Sequence, residues 1–267
     1  MATVTDIVVY PLKSAAGVTL GEADVADSGL AYDREWMVVD GEANCLTQRE
    51  YSKLAVVQPV LTGGQLSLRA PGMQVLDLPS GTGEPLACSL FGETCRAFAT
   101  SPAANAWISD YLGAKAAIVT RDRSFLRKGG VQYPQRDDRP TSFVDNYGVL
   151  IISRASLSDL NSRLEEPVPM NRFRPNIVVD GLPAYEEEEA KGFASEEIEF
   201  AFTNVCTRCV IPNIDQATAA IKREPFQTLS SFRFDEGYRG VRFGAYAAVA
   251  AGIGCKLRVG DALVLQT

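Results

Sequence analysis

Residues 198–209 read Ile-Glu-Phe-Ala-Phe-Thr-Asn-Val-Cys-Thr-Arg-Cys. Ile198 to Val205 reads as a strand that delivers a Cys-x-x-Cys at its end, with Pro212 close behind. A dithiol redox pair ordinarily opens a helix, where the dipole favours the thiolate; this pair closes a strand. Half of a zinc site is a second reading, but no other closely spaced cysteine pair and no histidine exists to complete four ligands. An incidental pair is the third. What sets the motif apart is Arg208 beside Cys209, since a guanidinium favours the thiolate, the form that binds soft metals or attacks sulfur.

Working outward, the second half is strand-rich. Val149–Ile152, Asn176–Val179 (closed by Asp180-Gly181), Val241–Phe243, Cys255–Val259 and Ala262–Leu265 are expected strands. Leu157, Leu160 and Leu164 fall at helical spacing and predict an amphipathic helix to about Leu164. The acidic run Glu186 to Glu189 reads as a solvated loop. In the first hundred residues, Ile7–Tyr10, Trp36–Val39, Leu54–Val60, Leu66–Leu68 and Thr94–Phe98 are candidate strands. Gly63-Gly64, Pro71-Gly72 and Ser80-Gly81-Thr82-Gly83 punctuate them. Ser101-Pro102 has the form of an N-cap followed by proline at the first helical position, predicting a helix to about Leu112 closed by Gly113. Ala117–Thr120 follows as a strand, and residues 121–139 as a long, Arg-rich loop. The expected fold class is mainly β with a few helices (α+β), built as a barrel or sandwich.

Composition narrows the chemistry. The 267 residues are 46% apolar and carry 26 Lys plus Arg against 33 Asp plus Glu, a net charge of −7. An acidic chain argues against nucleic acid as the main partner. There are no histidines, which removes Ser-His-Asp and Cys-His nucleophiles, imidazole zinc sites and imidazole proton shuttles. The N-terminus shows no basic segment leading an apolar core, and Gly244 to Gly254, the longest small-apolar stretch, is too short to span a bilayer. A soluble, cytoplasmic protein without membrane contact is expected, with its six cysteines reduced.

Three further segments suit anion binding. Tyr10-Pro11-Leu12-Lys13-Ser14 projects a lysine and a hydroxyl from the end of a strand. Asp33-Arg34-Glu35-Trp36 sets an arginine between two acids, either as a surface ion pair or as a second phosphate clamp. Arg172-Phe173-Arg174-Pro175-Asn176 puts two planar cations at the mouth of a strand.

In this order, with Cys-Thr-Arg-Cys, Phe243-Gly244 and a closing Val-Gly-Asp, the segments resemble the MOSC family with its N-terminal β-barrel domain, over roughly residues 3 to 265. The resemblance implies a MOSC N-terminal β domain over 1–100 packed on a MOSC mixed β-barrel domain over 101–267. It points to the amidoxime-reducing component and bacterial reductases of N-hydroxylated bases, which hold molybdenum on a molybdopterin dithiolene and one cysteine. By that resemblance Cys209 is the metal ligand, and Lys13, Ser14 and Arg34 hold the cofactor phosphate. Arg174, Asn176, Thr207 and Arg208 contact the cofactor, and Asp145, Asn146 and Tyr147 line the pterin. Cys206 is not a ligand. Asp145 and Asp215 are candidate proton sources.

The implied activity is a molybdenum-cofactor oxidoreductase reducing N-hydroxylated or N-oxide compounds, with a role in detoxification. Its electrons come from a separate ferredoxin- or flavin-reductase-like protein, because the chain lacks the plant-type Cys-x4-Cys-x2-Cys spacing. Two rivals are a persulfide sulfur carrier acting through Cys209 and a non-catalytic module that binds and transfers the cofactor. After the cysteine, relatives often read Thr-Thr-Val-Asp-Pro; this chain has Pro212-Asn213-Ile214-Asp215-Gln216, a departure that bears on substrate preference. The 121–139 loop carries Arg121, Arg123, Arg127, Lys128, Arg136 and Arg139 against Asp122, Asp137 and Asp138. It reads either as a docking surface for an acidic electron-transfer partner or as a solvated loop.

Overall fold

The strand β1 (Ala2–Val9) opens the chain yet pairs with its far end. The computed structural model describes residues 1–79, 83–130 and 138–267. In the first half follow β2 (Trp36–Asp40), β3 (Pro85–Leu90), β4 (Glu93–Ala99), α1 (Pro102–Leu112) and β5 (Ala116–Arg121). In the second come β6 (Val149–Ser153), α2 (Arg154–Asn161), β7 (Ile177–Asp180), β8 (Gly192–Ala194), β9 (Glu199–Arg208), α3 (Phe226–Arg233), β10 (Gly240–Ala251) and β11 (Ala262–Gln266).

Seven strands close into a barrel in the order β6-β7-β1-β11-β8-β9-β10, with β10 returning to β6 through Ile151 opposite Ala245. Side chains alternate between two faces along a strand. The inner face is accordingly built from every second residue: Val149 and Ile151, Ile177 and Val179, Phe193, Phe200, Ala247 and Val249, and Leu263. In β1 the inner set is Val4 then Ile7 and Val9; the slip of one position coincides with a bulge between Val4 and Asp6. The outer face of β6 is covered too. Leu150 and Ile152 pack with Leu160 of α2, Leu229 of α3 and Phe243, so β6 is buried from end to end.

The first half forms an open half-barrel with strand order β2-β5-β4-β3, joined by a three-stranded sheet over residues 58–77. Trp107, Ile108 and Leu112 of α1 cover it against Val38, Leu66 and Ile118. The helix starts and stops as its sequence dictates. Ser101 accepts a hydrogen bond from the Ala104 amide, and Gly113 takes the left-handed conformation (φ 67°).

Three expectations are corrected. Leu54–Val60 is not one strand. Ser52–Val56 is a 3-10 turn whose amides bond inside the turn, with Leu54 and Ala55 in the core, and the strand covers Gln58–Thr62. The helix after β6 ends at Asn161, although Leu164 still packs on the core. The acidic run is not solvated throughout: Glu187 and Glu188 are buried, because each carboxylate is an acceptor the interior needs. Glu187 accepts from the Ser153 amide and Ser156 Oγ. Glu188 accepts from Arg233 at 2.5 Å, Arg242 at 3.0 Å and the Gly244 amide. The helix α3 was not anticipated, and the Ser80–Thr82 part of the expected turn lies outside the described residues. Among the described residues no helix is long and apolar enough to cross a membrane.

Removing one partner of a buried, hydrogen-bonded ion pair typically costs about 3 kcal/mol or more. Glu188→Ala is therefore expected to lower unfolding free energy by about 3 kcal/mol in urea titrations, whereas Glu186→Ala, on the exposed side of the same turn, changes it by under about 0.5 kcal/mol.

Candidate functional site

A cleft lies where the barrel meets the half-barrel. After Val9 the chain crosses as Tyr10–Ser14 and is tied to Asp33–Trp36 by three backbone bonds: Arg34 N to Tyr10 O, Trp36 N to Pro11 O and Lys13 N to Trp36 O. The Asp33 carboxylate accepts from the Tyr10 amide at 2.8 Å and from Arg34 at 2.5 Å. Lys13, Ser14 and Arg34 consequently reach one wall of the cleft. Asp145, Asn146 and Tyr147, which lead into β6, form a second wall. Arg174 and Asn176, which lead into β7, form a third, and Thr207, Arg208 and Cys209 at the end of β9 a fourth. Every candidate binding residue from the sequence lines this one cleft. Asp215 is not among the lining residues; it pairs instead with Arg172 at 2.6 Å.

Three of these residues adopt the left-handed backbone region that side chains ordinarily avoid: Ser14 (φ 69°), Arg34 (φ 49°) and Arg174 (φ 57°). Such conformations persist only where the surroundings impose them, and they concentrate at functional sites.

The cleft is strongly cationic although the chain is acidic. Among the described residues, Lys13, Arg34, Arg49, Arg174 and Arg208 line it against one carboxylate, that of Asp145. Arg34 and Arg174 both sit over the Tyr10 ring, at 4.3 and 4.1 Å. Burial and the neighbouring Arg34 pull the Arg174 pKa down to about 10, although the Tyr10 hydroxyl opposes them; the guanidinium stays charged at neutral pH. Burial likewise pushes Tyr10 up to about 12. Asp145 is ion-paired to Lys13 and lies 3.0 Å from Arg49. Burial alone would raise its pKa, but these two cations hold the carboxyl well below the ordinary range. A carboxylate so held keeps no proton at neutral pH, which argues against Asp145 as the proton source and for a role in placing Lys13 and Arg49.

The two cysteines of the motif are not equivalent. Cys206 is buried within the core outside the barrel and accepts from Arg208 at 2.9 Å; burial pushes its thiol up. Cys209 is half-buried, and Arg49 donates to its sulfur at 3.4 Å. Arg49 went unnoticed in the sequence because it sits in a polar turn, with Thr47 bonded to Glu50, that has no motif of its own. Gln48 beside it is fully buried and donates to the Ser14 carbonyl at 2.6 Å.

Two polar atoms of the cleft walls are buried without a hydrogen-bond partner: Asn146 Oδ1 and Arg208 Nε. Buried polar groups are nearly always satisfied, so an acceptor and a donor left open here fit a polar, anionic ligand. The donor set, with the half-buried Cys209 thiol and an excess of guanidinium and ammonium, suits a phosphate-bearing group with a soft metal. A larger hollow of about 660 Å³ lies beyond Tyr10 and Arg174, between β1 and α2, against about 130 Å³ for the cleft. The hollow has no thiol in its walls and no comparable cluster of cations, so chemistry favours the smaller space.

The basic loop reads as either a docking surface or a solvated loop, and among its described residues several cations already have partners. Arg121 is spent on buried Glu35 at 3.2 Å, and Arg123 pairs with the same carboxylate. Arg127 is buried and donates to Thr141 Oγ1 and to the carbonyls of Ser142 and Val144. It thereby braces the segment that leads to Asp145. Lys128 pairs with Asp138 and Arg139 reaches the Ala248 carbonyl. Arg136 and Asp137 lie outside the described residues.

Residues 1–115 match the MOSC N-terminal beta barrel domain and residues 138–264 the MOSC domain. The chain belongs to the MOSC family. Its curated MOSC relatives include mitochondrial amidoxime reducing component 2 of Rattus norvegicus, 33% identical over 285 residues, spanning 98% of this chain and 82% of that protein. Mitochondrial amidoxime-reducing component 1 of Homo sapiens is 31% identical over 244 residues, 87% of this chain and 72% of that protein. Molybdenum cofactor sulfurase of Danio rerio is 29% identical over 272 residues, 92% of this chain but only 32% of that protein.

A carboxyl with a depressed pKa stabilises the fold above its unfolded value, near 3.9, and that contribution disappears as pH falls through the folded value. Melting temperature should therefore drop more steeply below about pH 4 in the unsubstituted MOSC protein than in Asp145→Asn. Parallel acid limbs in thermal scans would show that Lys13 and Arg49 do not hold Asp145.

Proposed function

We propose that the protein is a molybdenum-cofactor oxidoreductase that reduces N-hydroxylated or N-oxide compounds with electrons from a separate ferredoxin- or flavin-reductase-like protein. The observation that carries this reading is the joint placement of one half-buried thiol, Cys209, with a surplus of buried and half-buried cations and two unpartnered polar atoms in one cleft. Amidoxime-reducing relatives that span nearly the whole chain support it. The cofactor, when bound, supplies the two-electron change that no side chain offers.

The chain's own residues bind, orient and neutralise. Lys13, Ser14 and Arg34 hold the phosphate through charge-assisted hydrogen bonds. Asn176 accepts from Arg34 at 3.2 Å and so fixes the angle at which that guanidinium enters. Arg174, Thr207, Arg208, Asn146 and Tyr147 take the pterin, with Arg208 Nε and Asn146 Oδ1 as the open donor and acceptor. Cys209 is the metal ligand, and Arg49 donates to its sulfur at 3.4 Å. Asp145 positions Lys13 and Arg49. A cytoplasmic setting and a role in detoxifying N-hydroxylated compounds go with this reading.

A second reading has its own support in the sulfurase relative: Cys209 carries a persulfide and passes on sulfur. A non-catalytic cofactor carrier is the third.

Protein from a host that makes molybdenum cofactor is expected to contain molybdenum and pterin and to reduce benzamidoxime with an artificial donor. Cys209→Ala should lower turnover to background while most of the pterin stays bound; full activity in that variant removes Cys209 as ligand. Arg34→Ala should release pterin on dialysis, and an unchanged pterin content would refute the phosphate role. A persulfide trapped on Cys209 by mass spectrometry, without molybdenum, favours the sulfur carrier.

A further inference from the structure

The hairpin β3–β4 turns through two residues only, since Leu90 pairs with Glu93. Both residues of the turn, Phe91 (φ 52°) and Gly92 (φ 84°), lie in the left-handed region, as a tight hairpin requires. Asn or Gly normally fills the first of these positions, and a bulky aromatic residue there is strained. Phe91 is also 41% exposed, so no core contact explains it. Its ring instead lies against two cations of the functional cleft: Lys13 Nζ is 5.2 Å and Arg49 Cζ 5.3 Å from the ring centre. Arg49 in turn touches Cys209, so the ring stands one guanidinium away from the thiol. It forms an apolar plane beside Lys13 and Arg49, just outside the residues that line the cleft.

Resting on the reductase reading above, we propose that Phe91 is a specificity-determining residue, an aromatic rim that favours substrates whose N–OH head is conjugated to a flat ring over small aliphatic ones. A flat ring at the cleft can stack on Phe91 while its polar head enters among the cations. A small aliphatic amidoxime has the head and not the plane. Aromatic pairs contribute enough beyond simple burial to change a rate ratio by roughly three- to tenfold.

The test compares benzamidoxime with acetamidoxime in cofactor-loaded Phe91→Asn, Phe91→Tyr and Phe91→Leu, together with calorimetric binding of benzamidoxime and pterin analysis of each variant. In Phe91→Asn the ratio of kcat/KM for benzamidoxime over acetamidoxime should fall roughly three- to tenfold, mainly through KM, with weaker benzamidoxime binding and pterin content retained. Its melting temperature should rise by about 2 °C as the strained position is relieved. Phe91→Tyr should keep the preference, and Phe91→Leu, which keeps an apolar side chain without the ring, should lose it. An unchanged ratio in both the Asn and Leu variants overturns the proposal. So does loss of pterin in them, which would make Phe91 a support for Lys13 and Arg49. If the loaded, unsubstituted protein reduces neither compound, the reductase reading fails. Calorimetry still decides the rim, because Phe91→Asn then either weakens benzamidoxime binding or does not.

Discussion

The cleft depends on one seam. The Asp33 carboxylate holds the Tyr10 amide and the Arg34 guanidinium at once, and three backbone bonds beside it lock the exit of β1 to the entry of β2. Because β1 is a stave of the barrel and β2 belongs to the half-barrel, this seam fixes the angle between them. It sets the backbone course of Lys13, Ser14 and Arg34, and Asp145, Gln48 and Asn176 then hold the lysine side chain, the Ser14 carbonyl and the guanidinium. The left-handed backbone at Ser14 and Arg34 is the local cost of so tight a crossing.

The second constraint is electrostatic. Gathering five cations on the walls of one cleft is unfavourable unless each has somewhere to direct its charge. The protein answers with π faces and carbonyls as much as with carboxylates. Tyr10 takes Arg34 and Arg174, the Phe173 carbonyl takes Arg208, the Ala15 carbonyl takes Arg174, and Asp145 is shared by Lys13 and Arg49. The result is a cleft that is internally supported yet still positive, with a donor and an acceptor left over. Cys206 and Cys209 show how finely the end of β9 sorts its side chains. Two residues of one type, three positions apart, end up one buried against the core and Arg208, the other half-buried against Arg49.

Much of this was legible in the sequence where a residue's neighbours in the chain decide its fate. Ser101, Pro102 and Gly113 announce α1 because capping is local. The strand leading to Cys-Thr-Arg-Cys and the Arg-Phe-Arg-Pro-Asn segment could be marked because their chemistry is contained in a few consecutive letters. Arg49, Glu187 and Glu188 could not, since each is defined by partners far along the chain: Asp145, Ser153 and Ser156, Arg233 and Arg242. The inward arginine of the basic loop was hidden for the same reason. A run of arginines reads as surface charge until the structure shows Arg127 turned inward onto carbonyl oxygens. The short α3, with aromatic and hydroxyl side chains of modest helix propensity, is held by tertiary contacts that no local signal reports.

A closed ring with an odd number of staves cannot alternate direction all the way round. With seven strands, at least one neighbouring pair must run the same way, and in this protein that pair is β6 and β7. Strands that run the same way begin at the same rim, so the segments that feed them, Asp145–Tyr147 and Arg174–Asn176, arrive side by side. The exit of β1 joins them there because it runs opposite to β7. The meeting of these three segments thus follows from where the barrel places the like-directed pair that its odd strand number obliges it to have.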